Sequence, residues 1–208
     1  MLAGIAVGVM AAAPALAYLG SRASRAEQRA SRDPLTGISN RGTALQAFHN
    51  LAAGGHPPTV MFVDLDRFKQ INDRYGHLAG DKLICTVAAR LHRWAWDHDG
   101  LAGRLGGDEF ILLIPDTSLT DAASAARDLR RAIAKPITVF HHRRHVISPS
   151  ATVGVSTAAH NRNWTEALRA ADIALYHAKR TRSGFAAFDP ATVIPKVLAN
   201  AAAQAATQ

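Results

Sequence analysis

The chain has 208 residues, 48% of them hydrophobic and 19% charged, with a formal net charge of +8. That length suits one domain of ordinary size with extra residues at its ends, and the apolar fraction excludes global disorder. A lone cysteine, Cys85, excludes an intramolecular disulfide and fits a reducing compartment. The basic balance suits anionic partners, but with no Lys/Arg tract or interleaved aromatic platform, nucleic acid is not expected among them.

Residues 1–20, "MLAGIAVGVMAAAPALAYLG", are uncharged. At ~1.5 Å per helical residue they just reach across a bilayer core of ~30 Å, so an N-terminal apolar helix is expected to act as an anchor. Arg22, Arg25, Arg29 and Arg32 follow in a basic linker over 21–32, which by the positive-inside rule keeps the rest of the chain in the cytoplasm. A cleaved signal peptide competes, with "ALA" before Tyr18, but the basic n-region is missing. A third reading makes this the last span of a longer membrane region.

Helical and strand patterns alternate from there. "SNRGTALQAFHNLAAGG" has an N-cap signal at Ser39/Asn40 and a Gly-Gly stop. "PTVMFVDLD" is a short apolar strand ending in acids. "GDKLICTVAARLHRWAW" repeats Leu83, Ile84, Val87, Ala88 and Leu91 as an amphipathic helix, with Asp81 as its expected N-cap and Cys85 as a buried, inert thiol. "GRLGGDEFILLIP" reads as two strands joined by a tight glycine turn. A helix over "LTDAASAARDLRRAIAK" precedes a strand pair in "ITVFHHRRHVISPSATVGVS", whose "HHRRH" is read as a solvated hairpin loop. "TEALRAADIALYHAKR" is a helix with Leu168, Ala171, Leu175 and Ala178 on one face, "GFAAFDP" a last strand, and 191–208 an Ala-rich tail without assigned function. The order suggests an α/β sandwich, helices packed against a mixed sheet.

Asp64 and Asp66 end one core strand; Asp108 and Glu109 follow the glycine turn. Adjacent strands would gather these acids within a few ångströms. Such a cluster is costly unless a cation neutralises it. Mg²⁺ takes one or two carboxylates and completes its shell with water and substrate phosphates, the arrangement of phosphoryl transfer. Taken pair by pair, the same acids read more readily as solvated turn caps. Between them, "DRFKQINDRYGHLAGD" carries apolar Phe68 and Ile71 and polar Lys69, Asn72, His77 and Asp81. Asn and Asp side chains are suited to a purine edge, since an acid accepts from the guanine N1–H and amino group.

"GGDEF" at 106–110, together with "DPLTGISNR" at 33–41, "FVDLDRFKQINDRYGHLAGD" at 62–81 and "ADIALYHAK" at 171–179, resembles the GGDEF family of diguanylate cyclases over roughly residues 33–190. The resemblance implies a nucleotidyl-cyclase, polymerase-palm-like α/β (α+β) domain with a mostly antiparallel sheet flanked by helices. It also implies condensation of two GTP into cyclic di-GMP with release of two pyrophosphates, by a homodimer. Asp64, Asp108 and the Leu65 carbonyl are then the implied ligands of Mg²⁺, or alternatively Mn²⁺. Asp108 and Glu109 are the implied catalytic acids, Asp108 as proton acceptor. Asn72, Asp81 and His77 would hold guanine, Lys69, Lys179 and the backbone near Phe68 would meet phosphates, and Gly106 and Gly107 would admit the triphosphate. With the apolar segment, this implies a catalytic domain on the cytoplasmic side of a bacterial inner membrane.

Two departures stand out. The inhibitory "RxxD" that many relatives carry upstream of the signature falls here on Asp97 and Gly100, so weak or absent product inhibition is expected. The late motif "AKxxGRN" reads Lys179-Arg180-Thr181-Arg182-Ser183-Gly184, with Ser183 in the arginine position and Arg180 or Arg182 as candidate substitutes. The alternative is an impaired module that binds GTP in a regulatory role, although degenerate relatives typically lose signature acids, and Asp64, Asp108 and Glu109 all remain.

Overall fold

Apolar periodicity divides the chain into short strands and amphipathic helices, seen here in a computed structural model that describes residues 31–161 and 163–189. The first half runs β1 (Ser39–Asn40), α1 (Arg41–Ala53), β2 (Thr59–Leu65), α2 (Phe68–Tyr75), α3 (His77–Trp96), β3 (Leu101–Gly106) and β4 (Glu109–Ile114). The second runs α4 (Leu119–Ile133), β5 (Ile137–His141), β6 (Arg143–Ile147), β7 (Ala151–Ser156), α5 (Trp164–Thr181) and β8 (Phe185–Ala187). The result is a mixed α/β fold around a six-stranded sheet of order β1-β3-β4-β2-β7-β8. Its central pairs are antiparallel; only the edges, β1–β3 and β7–β8, are parallel.

The run "TVMFVDL" is apolar on both sides because both faces of the sheet are covered. Met61, Val63 and Leu65 of β2, with Phe110, Leu112 and Ile114 of β4, pack on one face against α3 and α4. Val60 and Phe62, with Ile111 and Leu113, pack on the other against α1 and α5. Side chains alternate with a period of two, so parity along β2 and β4 decides which helix layer each residue meets.

Local signals set several boundaries. Asn40 caps α1, its side chain accepting from the Thr43 N–H. Ser118 and Asn163 cap α4 and α5 in the same way. The expectation for Asp81 is corrected: α3 begins at His77, because Gly76, at φ +80°, breaks the chain between α2 and α3, and Asp81 lies inside the helix. The strand pair expected over 137–156 is three strands, β5 and β6 forming a separate two-stranded ribbon while β7 joins the main sheet. His141 and His145 of "HHRRH" thus sit in strands, with the His145 ring 5.0 Å from that of Tyr75. Cys85 is half-buried, its Sγ 3.3 Å from the Leu35 carbonyl.

The membrane placement is also corrected. Among the described residues no helix is long and apolar enough to cross a membrane. The longest, α3 at 20 residues, carries Asp81, Lys82, Arg90 and Arg93 and lays its apolar stripe on the sheet. The expected apolar helix at 1–20 lies outside the described residues.

Gly154 of β7 fixes how close α5 comes: a Cβ there would overlap the Ala171 carbonyl and the Leu175 backbone. Gly154→Ala is expected to lower stability by about 1–3 kcal/mol through overpacking, measured as the urea midpoint at unchanged m-value.

Candidate active site

Strand parity brings the acids together. Asp64 falls on the α5 face of β2 and pairs in register with Glu109, the first residue of β4. Asp108 precedes it, and its carbonyl accepts from the Leu65 N–H at 3.3 Å. From the α5 side, Lys179 extends its ammonium to within 2.8 Å of Asp64 Oδ1. Burial lifts the Asp64 carboxyl above its usual range; the Lys179 ammonium pulls it back, while the charges of Asp108 and Asp66 push upward again. Burial raises Glu109 as well, helped by Asp64, Asp108 and Asp172 and opposed by Lys179.

The turn carrying Asp108 depends on its glycines and on an arginine. Gly106 and Gly107 adopt φ of +152° and +52°, regions that residues with a Cβ rarely occupy. Arg104 Nε and one terminal nitrogen donate to the Gly107 carbonyl at 3.0 and 2.7 Å. Its other terminal nitrogen meets Asp33 at 3.0 Å, with both side chains largely buried. Asp33 also accepts from the Thr36 N–H and hydroxyl. Burial alone would raise the Asp33 carboxyl, but the Thr36 and Arg104 bonds outweigh it and hold it below its usual range.

The remaining expected residues form a second group. α2 presents Phe68 and Asn72 to α3, where Gly80 leaves room: a Cβ at Gly80 would overlap the Asn72 side chain and crowd the Phe68 ring. Asn72 Oδ1 is buried and has no hydrogen-bond partner among the described residues. Asp81 is the next residue after Gly80, and His77 lies one turn before it on α3, both exposed. Lys69 is exposed and joins no ion pair among the described residues.

Arg104 and Asp33 were not singled out in the sequence. Asp33 opens a quoted motif and Arg104 lies two residues before the glycines, yet nothing local links them. Asp66, paired with Asp64 by sequence, instead accepts from the Thr152 hydroxyl at 2.7 Å.

No cluster of three or more His, Cys, Asp or Glu side chains among the described residues is arranged to hold a metal alone. Carboxylates gathered at the ends of β2 and β4 without such a cluster suit an ion that takes one or two of them and its remaining ligands from water and phosphate. Burial and repulsion among the acids hold the Asp64 and Glu109 carboxyls above their usual range even with Lys179 on Asp64, and a cation beside them would favour their ionised forms.

Comparison with known proteins assigns the family. Residues 30–184 match the family described as "Diguanylate cyclase, GGDEF domain". The chain is 36% identical over 157 residues to the diguanylate cyclase DgcP of Pseudomonas aeruginosa, covering 74% of this chain and 23% of that protein. It is 35% identical over 168 residues to the response regulator PleD of Caulobacter vibrioides, covering 78% and 37%. Among solved structures, the GGDEF domain of TpbB from P. aeruginosa matches at 34% identity and TM-score 0.61, covering 70% of this chain and 92% of that one. The coiled coil and GGDEF domain of DgcB from Caulobacter crescentus, in complex with c-di-GMP, matches in fold at 22% identity and TM-score 0.77, covering 88% and 98%. The chain belongs to the GGDEF family. It spans only 23% and 37% of the lengths of DgcP and PleD.

Arg104→Ala is expected to cost about 3 kcal/mol, because it leaves Asp33 without its charge partner and frees the Gly107 carbonyl. Since the folded-state value of Asp33 is lowered, its contribution is complete above the unfolded value of ~3.9 and disappears as pH falls through the folded one. Denaturation curves from neutral to acid pH are therefore expected to show a shallower acid limb in the variant than in the wild type.

Proposed function

We propose that this chain is a diguanylate cyclase, joining two GTP molecules into cyclic di-GMP with release of two pyrophosphates. The observation that carries this reading is the convergence of Asp64, Asp108 and Glu109 at one end of β2 and β4, with Lys179 on Asp64. The catalytic unit is residues 33–190; 21–32 is a linker and 191–208 a tail.

Asn72 and Asp81 hold the guanine edge, with His77 beside them on α3. The unpartnered Asn72 oxygen supports this, because a buried acceptor without a donor calls for one. Phe68 backbone, Lys69 and Lys179 meet phosphates, and the Gly106–Gly107 turn admits the triphosphate. Asp64, Asp108 and the Leu65 carbonyl would hold Mg²⁺, or Mn²⁺, which when bound offsets the charge developing on the reacting phosphate. Asp108 takes the proton from a 3′-hydroxyl as that oxygen bonds to the α-phosphorus of the other GTP, pyrophosphate leaving with the electrons of the broken bond; Glu109 adds negative charge beside Asp108. Each protomer contributes one GTP, so two protomers meet face to face and the reaction occurs twice to close the ring.

A second reading is a GTP-binding regulatory module with impaired turnover. It is favoured by Ser183, whose hydroxyl donates to the Phe185 carbonyl at 2.8 Å and offers nothing to a phosphate. Incubating the full chain with GTP and Mg²⁺ and separating the products by chromatography discriminates between them. Cyclic di-GMP is expected, falling at least about a hundredfold in Asp108→Ala; GTP bound without product would favour the module.

Product feedback is expected to be absent. Asp97, which closes α3, stands in the arginine position of the inhibitory motif and Gly100 in its carboxylate position, so neither group of that motif is in place. Initial rates at saturating GTP are expected to be unchanged by added cyclic di-GMP; noncompetitive inhibition would contradict this.

A further inference from the structure

The serine at position 183 raises the question of what replaces the missing guanidinium. Arg180 does not: it lies over the Tyr176 ring, 5.7 Å from its centre, and bonds the Tyr176 hydroxyl at 3.3 Å. Beside the acids, however, opens a cleft of about 580 Å³ lined by Asp64, Lys179, Arg67, Arg130 and Arg182, among others. Lys179 is paired with Asp64, and Asp66 accepts from Thr152. The three arginines enter no ion pair among the described residues.

Arg130 comes from α4, on the opposite side of the sheet from α5. Its Nε donates to the Ala151 carbonyl at 2.9 Å, which fixes the guanidinium plane while its two terminal nitrogens have no hydrogen-bond partner among the described residues. It reaches the cleft across Gly184, where φ is +80° and any Cβ would overlap its Cζ and both terminal nitrogens. The residues that depart from the family motif at 182–184 therefore act together. Ser183 turns away, Gly184 clears the path for Arg130, and Arg182, closing α5 at φ +55°, joins it on the cleft wall.

We propose that Arg130 and Arg182 form the seat of the terminal phosphates of the bound nucleoside triphosphate, in place of an arginine at position 183. Two partnerless N–H-bearing nitrogens in a fixed plane suit a phosphate's oxygens, and charge-assisted bonds of this kind are among the stronger ones proteins make. The same seat receives the pyrophosphate that leaves. This rests on the GTP reading above for the identity of the nucleotide, and on the cleft alone for its affinity for polyphosphate.

The test is calorimetric titration of the full chain with inorganic tripolyphosphate, a non-reactive GTP analogue and GMP. Arg130→Gln is expected to weaken tripolyphosphate and the GTP analogue about tenfold each and to leave GMP unchanged. Arg182→Gly removes a guanidinium while relieving a left-handed backbone, so it is expected to weaken the same two ligands several-fold without loss of thermal stability. Equal losses for GMP and the GTP analogue would reduce Arg130 to a structural role and overturn the proposal. Unchanged affinity for the GTP analogue in both variants would overturn it while leaving the GTP reading intact. Tripolyphosphate binding that depends on Arg130, in a protein that binds no GTP analogue, would support the seat and overturn the GTP reading instead.

Discussion

The antiparallel pairing of β2 with β4 puts Asp64 opposite Glu109 at the end of a ladder whose rungs from Val60 to Val63 are apolar on both strands. Because side chains alternate, that register also sends both carboxylates to the α5 face, where Lys179 waits, and sends Leu65 to the core under α3 and α4. A slip of one residue would exchange these faces, burying Asp64 among leucines and exposing Leu65. The hydrophobic rungs thus determine where the charges stand. Carboxylates held this way resist ionisation, and one ammonium only partly relieves them. On the function proposed above, the arrangement is half of a site whose other half, a cation and its phosphates, would arrive with the substrate.

The surrounding structure keeps this half-site in shape without filling it. Arg104 ties the glycine turn to Asp33, which lies 71 residues from it in sequence, using the whole fork of its guanidinium. Gly154 lets α5 lie close over β7, and Lys179 follows one turn beyond Leu175 on the same helix. Acids and arginines then lie side by side at the same end of the sheet, the first suited to a metal ion and the second to the phosphates it would accompany. Neighbouring sites of opposite sign fit a metal–nucleotide complex better than either ion alone.

Much of this was legible in the sequence where the signal is local. The apolar runs of β2 and β4, the glycine turn between β3 and β4, and the cap at Asn40 all follow from short-range rules and appear where expected. Asp81 misled because a Gly-Asp step before an apolar repeat looks like a helix start, whereas the break came five residues earlier at Gly76. The ribbon β5–β6 was merged with β7 because alternation reveals a strand but not the sheet it joins. Arg104 and Arg130 escaped for a different reason: their partners, Asp33, Ala151 and the space above Gly184, are neighbours only after the sheet has formed. The membrane reading of the uncharged residues 1–20 rests on their length and the arginines after them, and among the described residues no helix is long and apolar enough to cross a membrane.

The central claim is that the acids of β2 and β4 are gathered for a divalent cation that enters with nucleotide. Its most direct test is Mn²⁺ binding to the full chain, followed by electron paramagnetic resonance in the presence of a non-reactive GTP analogue. A nucleotide-dependent bound ion is expected, weakened at least about tenfold in Asp64→Asn while the analogue alone still binds. An ion bound equally well by the variant, or nucleotide bound with no ion beside it, would contradict the account.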